Sequence, residues 1–229
     1  MKKILIINPF GIGDVLFTTP VIRAIKDSLP NATISYWCNE RVKPVLKNNK
    51  NIDKIFALSR GDIKKIYSRS KLEGVYKSFS LLQSIKKEKF ELAFDFSLDH
   101  RYSLLSKFVG IKKRIGFNYK NRGRFLTDKI DIDGYTTKHV AEYYLDLLKF
   151  INIKPKTYNL DLSAARENRI RIQEMLAQLN ISSNDLLIGI APGGGASWGK
   201  DASLKHWPAI KFAQLADGII KNYDAKIIV

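Results

Sequence analysis

Asp14 stands in Ile6-Ile7-Asn8-Pro9-Phe10-Gly11-Ile12-Gly13-Asp14-Val15-Leu16, where a short apolar run meets two glycines and a helical pattern begins. A carboxylate just past the end of a first parallel strand lies in the crevice where open α/β sheets bind ligands. There it can take a proton from a substrate hydroxyl. The same residue type also suits a helix cap, because Asp is a favoured N-cap. Gly11 and Gly13 begin like a dinucleotide fingerprint, but Leu16 stands where the third glycine would be. Glu40, after the second β-rich run, has the place of a ribose-binding acid. A dinucleotide-dependent oxidoreductase therefore stays open as an alternative.

A second cluster lies far along the chain, in Ala191-Pro192-Gly193-Gly194-Gly195-Ala196-Ser197-Trp198-Gly199-Lys200. Gly194, Gly199 and Lys200 have the spacing of a P-loop, but Asp201 replaces the hydroxyl residue that would hold Mg²⁺ and would repel phosphates. A nucleotide triphosphatase is thereby disfavoured, whereas the N–H groups of Gly193, Gly194 and Gly195 remain suited to cradling a diphosphate. Lys205 precedes a helix whose first turn is expected at Pro208, so it stands near a positive helix end, a natural anion site. Trp207 reads as packing at that helix entry. His139 and His206 have no neighbouring ligand set, so no metal site and no cofactor are expected. His100, beside Asp99, reads as a solvated imidazole next to a helix cap.

The elements that must hold these residues follow a βαβ rhythm: strands at 3–8, 32–38, 54–58, 91–96 and 113–117, alternating with helical patterns at 15–29, 41–48, 102–109 and 139–150. This is an α/β chain with a parallel sheet. Between 62 and 89 lies a basic stretch with Ile63, Ile66, Tyr67, Leu72, Val75, Tyr76, Phe79 and Leu82 at a spacing that suits one or two amphipathic helices broken near Gly74. Polar composition around Lys154-Pro155-Lys156 suggests a domain boundary, giving domains 1–155 and 156–229. The second holds a helix at 164–179, a strand at 186–190, the glycine loop, a helix at 208–223 and an apolar run at 225–229. A second sheet only just begun cannot bury both its faces, so the chain is expected to be the front part of a longer protein.

The chain has 229 residues, 45% of them hydrophobic, enough for a packed core. The opening Met1-Lys2-Lys3 and its apolar run read as a strand, because Asn8 interrupts the run too early for a targeting segment. No stretch is apolar enough to span a bilayer, and the single Cys38 reads as a small buried strand residue, which fits a cytoplasmic setting. The formal charge is +17, and residues 41–124 carry 22 Lys and Arg against 7 Asp and Glu. Such a face attracts phosphate-rich partners: an anionic glycolipid, a membrane surface, or RNA. The basic helical stretch could also rest on a membrane. An RNA-binding reading would use Tyr67, Tyr76, Phe79 and Tyr119, but their spacing is better suited to packing, and no nucleic-acid partner is expected.

Taken together, Gly13-Asp14-Val15-Leu16 with Thr18-Thr19-Pro20, Arg23-Ala24-Ile25-Lys26 with Pro30, Ile115-Gly116-Phe117, His139-Val140 before Tyr144 to Leu148, and Pro192-Gly193 followed by Lys205-His206-Trp207-Pro208 resemble glycosyltransferase family 9. These are heptosyltransferase-like enzymes of lipopolysaccharide core synthesis. The resemblance implies a GT-B architecture with two Rossmann-like domains, the acceptor largely on the first and a nucleotide-sugar donor, ADP-heptose by this likeness, on the second. It implies an inverting transfer without a required metal. Asp14 then corresponds to the general base and Lys205 to a lysine on the donor phosphates. Gly11, Gly13, Arg60, Lys64, Arg122 and Arg124 fall in stretches that line the acceptor side, where guanidinium forks suit phosphate or carboxylate. Family members continue beyond residue 229, so residues 1–229 alone are expected to be inactive. Association with the inner membrane surface is a further expectation.

Overall fold

The computed structural model describes residues 2–193 and 206–229. Its chain falls into two compact units, one ending at Ser163 and the other beginning at Ala164.

The first unit is built on six parallel strands, β1 (Lys3–Ile7), β2 (Thr33–Cys38), β3 (Lys54–Ala57), β4 (Leu92–Asp95), β5 (Lys113–Tyr119) and β6 (Asp128–Ile132), in the order β3-β2-β1-β4-β5-β6. This is the Rossmann order, and it bears out the expected parallel α/β fold. In register, Ile4 pairs with Ile34 on one side and Leu92 on the other. Central β1 is a continuous apolar run because both its faces are covered. Its side chains alternate, so Ile4 and Ile6 join a core with Val21, Ile22, Ile25, Phe94 and Tyr144, while Leu5 and Ile7 join the opposite core with Trp37, Ile85, Phe90 and Tyr102. Edge strand β6, which the charged alternation Asp128-Lys129-Ile130-Asp131-Ile132 hid from the sequence reading, keeps Lys129 and Asp131 exposed. Charges on an edge discourage further strand addition.

Helices α1 (Ile12–Leu16) and α2 (Thr19–Ser28) replace the single helix expected from Val15 to Leu29. Pro20 in the first turn of α2 explains the restart, since proline lacks the N–H that a continuing helix would need. Helix α3 (Lys43–Leu46) follows β2, and α4 (Arg60–Arg69) and α5 (Lys71–Glu88) form a hairpin after β3. The break lies at Ser70, not at Gly74: Ser70 is extended and its hydroxyl accepts from Glu73 N at 3.3 Å as the cap of α5. Gly74 is instead a close-approach position, because a Cβ there would lie 2.5 Å from Tyr67 Cδ2.

The apolar stripe of α5 also departs from expectation. Gly74 and Ile85 are buried, but Leu72, Val75, Tyr76 and Phe79 are exposed, so they are not core. Helix α6 (His100–Phe108) covers the same sheet face as α5 through Tyr102, whereas α7 (Val140–Asp146) and a following 3₁₀ turn, Leu147–Ile151, cover the other through Tyr144, Leu147 and Leu148. The segment 156–163, expected with the second domain, belongs to the first unit. Arg23 Nη1 is ion-paired with Asp161, Arg23 Nη2 donates to Asn159 O at 2.6 Å, and Thr19 Oγ1 accepts from Asp161 N at 2.9 Å. Polar composition marked the strand-free segment, but these bonds decide where it docks.

The second unit holds α8 (Arg166–Gln178), β7 (Leu187–Gly189), α9 (Ala209–Tyr223) and β8 (Lys226–Ile228), with β7 and β8 paired in parallel. Pro208 is the N-cap of α9, one place before the first turn where it was expected, and Trp207 packs edge-on against Phe212 at 4.9 Å.

The Tyr67–Gly74 contact predicts an inversion of sign. Gly74→Ala should destabilise the protein by about 1–3 kcal/mol through overpacking. In a Tyr67→Ala background the same change should stabilise by up to about 1 kcal/mol, because alanine is then the better helix former. Urea denaturation of the four proteins in the cycle measures both.

Candidate active site

The chain leaves β1 through a loop pinned by two buried asparagines. Asn8 donates its backbone N–H to Trp37 O at 3.0 Å, accepts from Phe10 N at 3.1 Å on Oδ1, and donates from Nδ2 to Asp14 O at 3.0 Å. Asn39, just past β2, donates from Nδ2 to Pro9 O at 2.9 Å and Phe10 O at 2.6 Å, while its Oδ1 accepts from Val42 N at 3.1 Å. An amide offers donors and an acceptor on one short arm, which suits cross-bracing a loop that makes few bonds of its own.

Asp14 projects from this brace. It is the third residue of α1, not the N-cap, which is Gly11, and its Oδ2 accepts from Gly11 N at 3.1 Å. The side chain is half-buried, and among the described residues no donor reaches Oδ1. One oxygen is thus held while the other is available. Gly11 is extended, with φ −79° and ψ −179°, so its backbone does not demand glycine. A Cβ on Gly13 would meet nothing within 4 Å, so the turn next to Asp14 is open at that position. On the protein side lie two buried tyrosines, Tyr36 and Tyr144, and the partly buried Tyr135. Burial pushes the hydroxyls of Tyr36, Tyr135 and Tyr144 well above the usual phenol range, and the charge of Asp14 adds to each. All three remain neutral under a carboxylate. Thr18 Oγ1 and Tyr36 Oη are 2.9 Å apart, which ties this layer to the start of α2.

Next to the loop is a cleft of about 580 Å³, lined among others by Phe10, Asn39, Arg41, Asp62, Lys64 and Lys65. It lies at the carboxyl ends of β1, β2 and β4, the place where a doubly wound sheet changes direction. The residues picked from sequence distribute unevenly around it. Lys64 lines it, and Arg60 begins α4 at its edge, where Ser59 caps the helix and Asp62 accepts from Ser59 N at 2.7 Å and Glu40 N at 3.2 Å. Asp14, Gly11 and Gly13 are not part of its lining, although Phe10 is. Arg122 and Arg124 are exposed on the loop between β5 and β6, outside that lining, with the Arg124 guanidinium 4.7 Å from the centre of the Phe125 ring. Gly193 follows β7 with open space at its Cβ position, while Gly194, Gly195 and Lys205 lie outside the described residues.

Four contributors escaped the sequence reading: Asn8, Asn39, Asp95 and Ser97. The signal for the first two was present, since each asparagine directly follows a β-rich run. Asp95 ends β4 fully buried, its Oδ1 accepting from Ser97 N at 2.9 Å. Burial, partly offset by the Ser97 bonds, raises its carboxyl to about 6. Asp99 caps α6 through Arg101 N at 3.1 Å, with His100 Nδ1 3.7 Å from its carboxylate, as the cap reading expected. Cys38 is buried in β2 and its thiol is pushed to about 12 by burial, so it is no nucleophile at neutral pH. His139 caps α7, its Nδ1 accepting from Ala141 N at 3.2 Å, and its ring meets Phe17 edge-on at 4.9 Å.

A Rossmann-ordered parallel sheet, followed along the chain by a second α/β unit, is the pattern of a GT-B glycosyltransferase fold. Residues 78–228 match the model of glycosyltransferase family 9 (heptosyltransferase), and the chain belongs to that family. Lipopolysaccharide heptosyltransferase 1 of Campylobacter coli is 23% identical over 231 residues, covering 96% of this chain and 61% of its own length. The chain thus spans about three-fifths of this relative. The glycosyl transferase family 9 structure from Veillonella parvula superposes with a TM-score of 0.76 at 22% identity, over 99% of this chain and 62% of that one. An E. coli heptosyltransferase solved with ADP-2-deoxy-2-fluoro heptose gives 0.70 at 14% identity, over 98% and 67%.

Asp95 gives this region a pH signature. In the folded chain its carboxyl holds a proton up to about pH 6, whereas an unperturbed one releases it near 3.8. Between those values the native state binds more protons, so this group's contribution to stability falls as pH rises and is fully lost above about 6. Asp95→Asn should therefore stabilise the protein by about 1–3 kcal/mol at pH 7.5, with the gain vanishing near pH 4. Denaturant titrations across that range measure it.

Proposed function

We propose that this chain carries the acceptor side and the beginning of the donor side of an inverting, metal-independent heptosyltransferase, which moves a heptose from ADP-heptose to a lipopolysaccharide core-type acceptor. The observation that carries the reading is the Asp14 carboxylate: Oδ2 fixed by Gly11 N at 3.1 Å, Oδ1 free among the described residues, and open space at Gly13. The family and the ADP-sugar analogue bound by the E. coli enzyme support the choice of donor.

In a single displacement, the acceptor oxygen forms a bond to the anomeric carbon of the heptose as the bond from that carbon to the diphosphate oxygen breaks. The hydroxyl proton passes to Asp14 Oδ1, and ADP leaves with the electron pair of the broken bond. Inversion follows from attack on the face opposite the leaving group. Asp14 is a strong enough base because the attacking hydroxyl becomes acidic as its bond to carbon forms. Lys205 and the N–H groups of Gly193 to Gly195 would balance charge on the departing diphosphate. Lys64, with Arg41 and Lys65 in the same cleft, offers cations to an anionic inner core. By the family likeness, Arg60, Arg122 and Arg124 are further candidate acceptor contacts. Among the described residues no helix is long and apolar enough to cross a membrane. A lipid-linked acceptor would then be met by a protein working in the cytoplasm, peripheral to the inner membrane.

In the full-length protein, Asp14→Asn should lower kcat for transfer by about 10²–10⁴-fold while leaving the thermal shift produced by ADP-heptose intact. Transfer at wild-type rate by that variant would overturn the assignment. Lys64→Ala should raise KM for a phosphorylated acceptor by about tenfold with little change in kcat, as expected for loss of a charge-assisted contact, and steady-state kinetics decide it.

A further inference from the structure

The outer face of α5 is unlike the rest of the first unit's surface. Leu72 is 84% exposed, Val75 55%, Tyr76 70% and Phe79 59%. Their spacing of three, four and seven residues places all four on one arc of the helix, two turns long. Single exposed apolar side chains are ordinary, but a contiguous stripe of four large ones marks a contact surface. The same arc continues into Lys86 and Lys87 in the last turn, both exposed, and Lys71 opens the helix beside Leu72. Across the hairpin, residues 60–89 carry nine Lys and Arg against three Asp and Glu. Of the lysines on α5, Lys77 is paired with Glu73 at 2.8 Å. An apolar stripe bordered by cations is complementary to a surface that is apolar beneath and anionic on top.

We infer that α5 is a docking face for an anionic phospholipid bilayer: Leu72, Val75, Tyr76 and Phe79 enter the boundary between headgroups and acyl chains while Lys71, Lys86 and Lys87 meet lipid phosphates. The helix is suited to lying in the plane of the interface, not to crossing it, since its inner face is held against the sheet by Ile85. Tyr76 adds an amphipathic ring of the kind favoured at headgroup depth. A second protein copy is the lesser candidate, because nine cations on the hairpin would face nine others across a two-fold axis. The face extends the transferase reading but does not require it.

The test is flotation of the full-length protein with vesicles of three parts phosphatidylethanolamine to one part phosphatidylglycerol, and with pure phosphatidylcholine, without donor or acceptor. Binding is expected on the anionic vesicles and should weaken in high salt. Leu72→Asn with Phe79→Asn should lower the partition coefficient at least tenfold with an unchanged melting temperature, because both side chains are already exposed. Lys86→Gln with Lys87→Gln should lower it about fivefold per lysine at low salt. Three results would overturn the inference: equal binding to phosphatidylcholine, vesicle binding unaffected by the apolar double variant, or no vesicle binding together with a dimer that the same variant dissociates in light scattering. Since no sugar is transferred in this assay, its failure leaves the role of Asp14 standing, and loss of transfer in Asp14→Asn leaves the bilayer contact standing.

Discussion

The pairing of β1 between β2 and β4 governs the rest of the structure. Connections from these strands run to opposite faces of the sheet, so the backbone diverges past Ile7 and leaves a crevice that no helix fills. Any residue placed there is exposed by topology, and the chain must supply polar groups to satisfy the loop that borders it. Asn8 and Asn39 do so from the ends of adjacent strands, and between them they engage Trp37, Pro9, Phe10, Val42 and Asp14. Both amides are buried. A buried, fully used amide is costly to remove, so the two asparagines hold in place the loop that leads to Asp14.

Two carboxylates share this edge of the sheet, and the fold treats them oppositely. Asp14 keeps access to solvent and receives one backbone N–H, while Asp95, one strand across, is enclosed and accepts from Ser97. Separation of environment between neighbouring acids is a recurrent way to give them different tasks. Asp95 sits behind the chain turn that carries Ser97 and Asp99 to the cleft, so its task is structural: it holds that turn. Of the two, Asp14 is the one with an oxygen open toward solvent.

Much of the sheet was legible because central parallel strands are unbroken apolar runs, and those at 3–8, 32–38 and 91–96 stood out. Strand β6 did not, since two of its five residues face solvent and its charges mimic a loop. The position of Asp14 just past β1 was legible from the glycines and the strand before it, but its place inside α1 was not, because Gly11 can occupy an N-cap without a side chain to announce it. The most instructive failure is α5. Helical spacing of Leu72, Val75, Tyr76 and Phe79 shows that one face is apolar, and periodicity is silent on whether that face meets protein, lipid or water. Gly74 was read as a break for a related reason: glycine weakens a helix, and only the Tyr67 ring across the hairpin reveals why it is needed.

That ring contact links the two surfaces of the hairpin. Helix α4 brings Gly61, Asp62 and Lys64 to the cleft and α5 carries the exposed stripe, and the two helices approach closely where Tyr67 meets Gly74. With Ser59 capping α4 and Ser70 capping α5, neither helix depends on packing alone to begin where it does. A lipid-linked substrate has its anionic head and its acyl anchor separated by a fixed covalent distance. A protein that must meet both gains from holding its cationic cleft and its apolar face on a single stiff element, because independent motion of the two would have to be arrested each time the substrate bound. Under the proposed function and the inferred bilayer contact, the α4–α5 hairpin would supply that element, with Tyr67 and Gly74 at the contact between its helices.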